Sequence, residues 1–376
     1  MTPLGRRIAE QIRARGPMRL DEYMRVCLLD PRHGYYATRD PFGQGGDFTT
    51  APEISQIFGE MIGLVLAQAW LDQGRPDPFT LAEIGPGRGT LMADILRAIR
   101  LAPGMAEAAR VTLIEASAHL RALQRERLGA VRHLDRAADL PEAPLFLVAN
   151  EFFDALPIRQ FHRRGGAWAE RVVALDPEGR PSPGLVPLSA ADLQQDPDLR
   201  ALARGPAPTE GEIRELRPDA IPVATAIAGR IARHGGCAIL IDYGAWDGRG
   251  DSFQALRRHR PDDPFAHPGE ADLTSHVDFR PLAVAGRRAG AAVSALVTQG
   301  TWLCALGIAA RARRLAEAGD GRAMAALERL TAPGEMGHLF KVLAFWAPAA
   351  PVPAGFDTCP FDPDEFDRHE LDARHA

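Results

Sequence analysis

From Phe79 onward the chain alternates short apolar runs with stretches whose apolar residues recur every three or four positions. FTLAEI (79–84), VTLIEA (111–116), LFLVAN (145–150), CAILIDYG (237–244), VSALVTQG (293–300) and HLFKVLAFWA (338–347) predict strands, with VRHL (131–134) a shorter one. Runs apolar at nearly every position suit a sheet covered on both faces. TLMADILRAIR (90–100) has apolar residues at 91, 92, 95, 96 and 99, which predicts a helix, as does HLRALQRERL (119–128). Such alternation predicts right-handed βαβ units and an α/β fold with a doubly wound sheet.

Ahead of the sheet, TAPEISQIFGEMIGLVLAQAWLDQG (50–74) predicts one long helix. Thr50 and Glu53 have capping-box spacing, Pro52 suits a first turn, and Gly74 stops the helix. Two stretches interrupt the later alternation. Residues 163–222 hold WAERVVAL, expected as an edge strand, and a proline-rich run; residues 245–290 begin with many Asp, His, Pro and Gly. Both are expected as insertions in a core spanning 76–350, behind an N-terminal helical cap and lid (1–75) and before a loosely ordered tail (351–376).

Composition narrows the class. Of 376 residues, 46% are hydrophobic and 25% charged, as in a globular protein, and a net charge of −5 gives no basic field for nucleic acid. Lys341 is the sole lysine, so the cationic surface is arginine. Four cysteines stand far apart without a CxxC pair, which argues against a metal or disulfide framework and fits a reducing compartment. No apolar run approaches the ~18–20 residues of a membrane span. The arginine-rich start lacks the apolar segment of a secretory signal and is expected as a surface helix.

The candidate chemistry centres on EIGPGRGT (83–90), between a predicted strand and helix. Gly85, Gly87 and Gly89 allow a sharp turn and close ligand approach, and the helix start offers free N–H groups to an anion. No lysine follows the last glycine, against a phosphate-binding loop, and Thr90 breaks the GxGxxG of a dinucleotide site. GxGxG preceded by Glu83 is common in S-adenosylmethionine sites, where a carboxylate holds the ammonium and turn amides face the carboxylate. Glu115, after the second strand, suits two ribose hydroxyls, although it lies farther on than the ~20 residues of a usual dinucleotide unit. Asp135 follows VRHL and is a candidate for the adenine amino group. At the end of the next strand, NEFFDALP (150–157) puts Asn150, Glu151 and Asp154 where ligands of open α/β sheets lie. Helix capping is the plain alternative for Asn150 and Asp154.

At these residues the chain resembles the MidA-type class I S-adenosylmethionine-dependent methyltransferases, related to a mitochondrial complex I assembly factor that methylates a protein arginine. The matching stretches are GDFTTAPEIS (46–55), EIGPGRGT (83–90), NEFFDALPIRQF (150–161), IDYG (241–244), PGEADLTSHVDF (268–279), TQGTWL (298–303) and EMGHLFKVL (335–343). The resemblance implies a seven-stranded, mainly parallel Rossmann-like core with an inserted substrate-side region, and S-adenosylmethionine as cofactor. It also implies an arginine on a respiratory complex I subunit as acceptor. On this reading Glu151, Asp154 and Asn150 serve catalysis, Asp272 and Asp278 complete the pocket, and GDFTT forms a lid through Thr49 and Thr50. A bacterial protein would work in the cytoplasm, a eukaryotic one in the mitochondrial matrix. A small-molecule methyltransferase and a cofactor-binding assembly chaperone without catalysis are the alternatives, with an NAD-dependent dehydrogenase disfavoured by the GxGxG spacing.

Overall fold

The computed structural model describes residues 1–38, 50–196, 199, 202 and 208–357. Two helices, α1 (Pro3–Arg15) and α2 (Leu20–Leu29), open the chain, and α3 (Gln56–Asp72) precedes the first core strand. The core then runs β1 (Phe79–Ile84), α4 (Thr90–Ile99), β2 (Ala109–Ile114), α5 (Ala118–Leu128), β3 (Arg132–Leu134), β4 (Leu145–Asn150), α6 (Ala220–His234), β5 (Gly236–Ala245), α7 (Phe279–Arg288), β6 (Ala292–Val293) and β7 (Phe340–Trp346).

These strands form one sheet in the order β3-β2-β1-β4-β5-β7-β6. Neighbours from β3 to β5 pair in parallel, whereas β7 is antiparallel to both β5 and β6. Val277–Asp278 and Val297–Thr298 add short pairings to β5 and β7, giving nine strands. The main path has the expected seven strands, mostly parallel; with the two short additions the sheet has nine strands and is mixed. Apolar runs are buried on both faces, as their composition requires. In β5, Cys237, Ile239 and Ile241 join a core with α3 and α4, while Ala238 and Leu240 join a second core with α6 and α7.

FTLAEI and LFLVAN form strands at the expected bounds. VTLIEA ends two residues early, at Ile114, so Glu115 stands just past the strand. VSALVTQG is β6 and the Val297–Thr298 strand, followed at once by the helix Gln299–Ala305. The expected long helix is broken. Ala51–Ile54 is one turn, Ser55 is extended at φ −163°, and α3 starts anew with Ser55 capping the Ile57 N–H. The capping box does not form, because Glu53 accepts the Thr90 hydroxyl at 2.6 Å instead. Tertiary contact has overridden a local motif.

Close packing of α3 on α4 needs glycine: a Cβ on Gly59 would lie 2.5 Å from that of Asp94, and one on Gly63 would lie 2.7 Å from that of Ala98.

A second sheet packs against the N-terminal helices. Ala167–Leu175 pairs with Arg159–Arg164, with Met18–Arg19 and with Pro181–Pro187, so it is an interior strand and not the expected edge. The proline-bearing strand Pro181–Pro187 takes the edge, where missing N–H donors cost least. A third, three-stranded sheet joins Gln254–Arg257, Arg260–Asp262 and Asp272–Thr274. Leu4, Ile8, Tyr23 and Met24 share one apolar cluster with Val173 and Leu273, tying the first two helices to both smaller sheets. The tail docks at its start: Phe356 lies 5.5 Å from Trp302, and the Trp302 indole donates to the Ala354 carbonyl. Residues 358–376 lie outside the described residues.

Candidate functional site

A cavity of about 1000 Å³ lies at the carboxyl ends of the central strands and is bordered by the glycine turn, by the loop after β4 and by the Asp272–Thr274 strand. Open α/β sheets bind ligands at this end because their helices start there.

The turn between β1 and α4 is left-handed at three positions: Gly85 at φ +68°, Gly87 at +51° and Gly89 at +75°. Side chains are strained in this region, which accounts for the glycine spacing. Gly85 and Gly87 border the cavity, and a Cβ on Gly85 would come within 3.3 Å of the Phe152 ring. Gly89 is instead the N-cap of α4, pressed against Leu128, and is not among the cavity's lining residues. Glu83 lines the cavity from the last turn-ward residues of β1. Its side chain is buried, and its Oε2 has no hydrogen-bond partner among the described residues. Burial pushes its carboxyl up to about 8; the Met92 N–H opposes the shift and the nearby Glu115 charge adds to it. An unpartnered buried carboxylate oxygen is costly unless a cation or donor meets it.

Glu115 is fixed by its neighbours. Its Oε1 accepts the Ser117 N–H at 2.8 Å, and its Oε2 accepts from Gln124 Nε2 at 3.3 Å. The same Gln124 nitrogen donates to the Gly87 carbonyl at 2.7 Å, so one side chain links the turn to the acid. Burial raises the Glu115 carboxyl, opposed chiefly by the Ser117 hydrogen bond. Asp135 also borders the cavity, but its side chain is 80% exposed and paired with Arg121 at 2.5 Å. Thr50 is buried on the cavity wall; Thr49 and the rest of GDFTT before it lie outside the described residues.

Beyond the turn the cavity becomes acidic. Asn150, Glu151 and Asp154 all line it, as read from NEFFDALP. Glu151 sits at φ +50°, an uncommon conformation for a side-chain-bearing residue. Its Oε1 accepts from Asn150 Nδ2 at 3.1 Å and from the Ala51 N–H at 3.4 Å. Burial first, then the Asp154 charge, pushes Glu151 up to about 8. Asp154 is buried and hydrogen-bonded to the Tyr243 hydroxyl, and its Oδ1 has no partner among the described residues. Asp272 joins them through Tyr36, whose hydroxyl donates to Oδ1 at 2.9 Å. Asp278 does not: it caps α7 by accepting the Arg280 N–H and is absent from the lining.

Three contributors escaped the sequence reading. Asp242, fully buried in β5 one residue past its pairing with β4, accepts the N–H groups of Phe152, Phe153 and Asp154 on Oδ2 at 2.9–3.2 Å and so shapes the acidic loop. Tyr36 and Tyr243 hydrogen-bond the acids of the wall. IDYG contained two of these residues, and strand-end position was the available signal.

The family described as "Putative S-adenosyl-L-methionine-dependent methyltransferase" matches residues 61–297. The "Protein arginine methyltransferase NDUFAF7 homolog, mitochondrial" of Drosophila melanogaster is 33% identical, covering 90% of this chain and 84% of that protein. "Protein arginine methyltransferase NDUFAF7, mitochondrial" of Homo sapiens is 32% identical, covering 92% and 83%. A crystal structure of a COG1565 superfamily member from Burkholderia thailandensis, bound to S-adenosyl-homocysteine, superposes with a TM-score of 0.80 at 30% identity over 94% of this chain and 93% of that one. The chain therefore belongs to the S-adenosyl-L-methionine-dependent methyltransferase family.

Proposed function

We propose that this methyltransferase acts on an arginine side chain of a protein, the acceptor nitrogen being presented to the acidic half of the cavity. The observation that carries this reading is the pair of half-buried Glu151 and buried Asp154, which line the cavity with the glycine turn and lie close enough for the Asp154 charge to act on Glu151, Asp154 Oδ1 having no partner among the described residues. A planar guanidinium has donors in a fork that paired carboxylates match, and a cation in that place relieves their mutual repulsion. Relatives named protein arginine methyltransferases support it.

The residues of the other half fit S-adenosylmethionine. Glu83 would hold the cofactor's ammonium, the turn at Gly85 and Gly87 its carboxylate and Glu115 its ribose hydroxyls, with Thr50 and Asp135 completing the wall; all six line the cavity. The cofactor supplies a methyl group on a positively charged sulfur, open to in-line attack. The chain's part is to align the acceptor and keep water out. Glu151 and Asp154 fix the guanidinium and draw its charge away from the attacking nitrogen. The cofactor's methyl–sulfur bond would break as the acceptor nitrogen attacked, leaving S-adenosylhomocysteine, and Glu151, ionised by the guanidinium beside it, would take the proton that the nitrogen gives up. Asn150 keeps Glu151 turned toward the acceptor.

We further infer that the acceptor is a subunit of respiratory complex I, methylated before membrane assembly, in a bacterial cytoplasm or a mitochondrial matrix. The mitochondrial relatives support the second setting, and no described helix is long and apolar enough to cross a membrane. Incubating the purified chain with methyl-labelled cofactor and protein extract, then hydrolysing the protein, tests the acceptor. Label in methylarginine is expected; label confined to lysine or to small molecules contradicts the reading.

A further inference from the structure

The acceptor half of the cavity is not built by the main sheet alone. The inserted strand Asp272–Thr274 borders it, and side chains from distant parts of the chain fasten that strand in place. Tyr36, between α2 and α3, donates its hydroxyl to Asp272. Tyr243, in β5, hydrogen-bonds both Thr274 and Asp154. The Ser275 N–H donates to the Asp154 carbonyl at 3.1 Å. Half-buried Arg217 donates to the Ser275 carbonyl at 3.0 Å and to the Leu156 carbonyl at 3.3 Å, locking the strand to the loop after β4.

Two carboxylates are thereby held in one wall. Asp272 is 5% exposed and Asp154 is 6% exposed, and both border the cavity. Tyr36 and Glu151 each sense the charges of both, so the acids lie together. Asp154 adds a buried oxygen with no partner among the described residues, an acceptor free for a ligand's donor.

We propose that Asp272, oriented by Tyr36, is the specificity-determining carboxylate of the acceptor site, gripping the guanidinium on an edge distinct from that held by Asp154. Two fixed acids favour an acceptor whose donors are fixed as well. A guanidinium offers five in a rigid planar fork; a lysine ammonium can reach both acids with its three donors, but as a freely turning point charge it gains less from their placement. The inserted strand thus chooses the acceptor, and the glycine turn chooses the cofactor. This rests on the arginine reading of the same site.

The test uses the full chain, methyl-labelled S-adenosylmethionine and a titrated protein extract, read as methylarginine and methyl-lysine after hydrolysis. In Asp272→Asn the extract concentration for half-maximal rate rises by about tenfold or more, as expected for losing a charged hydrogen bond. The share of methyl-lysine rises with it, and cofactor affinity by calorimetry is unchanged. Tyr36→Phe shifts both acceptor readouts the same way, by less. Wild-type half-saturation and product ratio in Asp272→Asn overturn the proposal, as does a loss of cofactor binding that accounts for the defect. A wild-type chain that makes no methylarginine fails at the reading beneath, a result distinct from active wild type with an indifferent variant.

Discussion

Asp242 Oδ2 accepts the backbone N–H of Asp154 at 3.2 Å, so the acid in β5 sets the position of the acid beyond β4. The same oxygen takes the Phe152 and Phe153 amides. Asp242→Ala therefore strands three amides and is expected to cost roughly 3 kcal/mol or more in stability, with methyl transfer lost. Asp242→Asn keeps an acceptor oxygen and should lose less of both. Chemical denaturation beside a transfer assay checks this; equal stability for Ala and wild type would refute it.

Cofactor binding should depend on the turn and on Glu115. Gly85→Val places side-chain atoms where a Cβ is already 3.3 Å from Phe152, at a φ of +68° that a branched residue rarely adopts. Glu115→Ala removes an acceptor lining the same cavity. Each is expected to weaken S-adenosylmethionine by about tenfold or more. Isothermal titration decides, and wild-type affinity in both variants would reject the assignment.

Glu83 makes stability fall with pH. Its carboxyl has an ordinary value of 4.5 and is raised to about 8 in the fold, so the folded chain binds the proton more tightly. Its contribution is fully present below 4.5 and is lost as pH rises toward about 8, by at most about 1.4 kcal/mol per pH unit. Glu151, raised to about 8 as well, acts with the same sign. Melting temperature of the cofactor-free chain should drop across this window, and Glu83→Gln should flatten the drop while weakening cofactor binding. An unaltered profile in Glu83→Gln would count against a buried, unpartnered Glu83.

The contact of α3 with α4 gives a control away from the acids. Gly63→Val adds bulk where a Cβ lies 2.7 Å from the Ala98 Cβ. Thermal melting should show a loss of about 1–3 kcal/mol or more from overpacking. A melting point matching wild type would mean that the helices separate freely.

Much of this is legible in the sequence. FTLAEI and LFLVAN read clearly because strands buried on both faces are apolar throughout. The glycine turn read clearly because three left-handed positions leave a residue-type signature. Glu53 misled because its partner, the Thr90 hydroxyl, is remote in sequence and outcompeted a local cap. Asp242, Tyr36 and Tyr243 were hidden for the same reason: their partners are set by topology, and a lone acid or tyrosine at a strand end carries no spacing to read. Ala167–Leu175 was misplaced because its pairing on both sides comes from segments before and after it.

The central claim, arginine methylation driven by Glu151, is tested most directly by mapping methylated residues in cells. Mass spectrometry of cells lacking this chain should show specific methylarginine peptides lost, restored by the wild-type chain and not by Glu151→Gln, although that variant still binds cofactor. A methylarginine inventory that is the same with and without the chain would contradict the account.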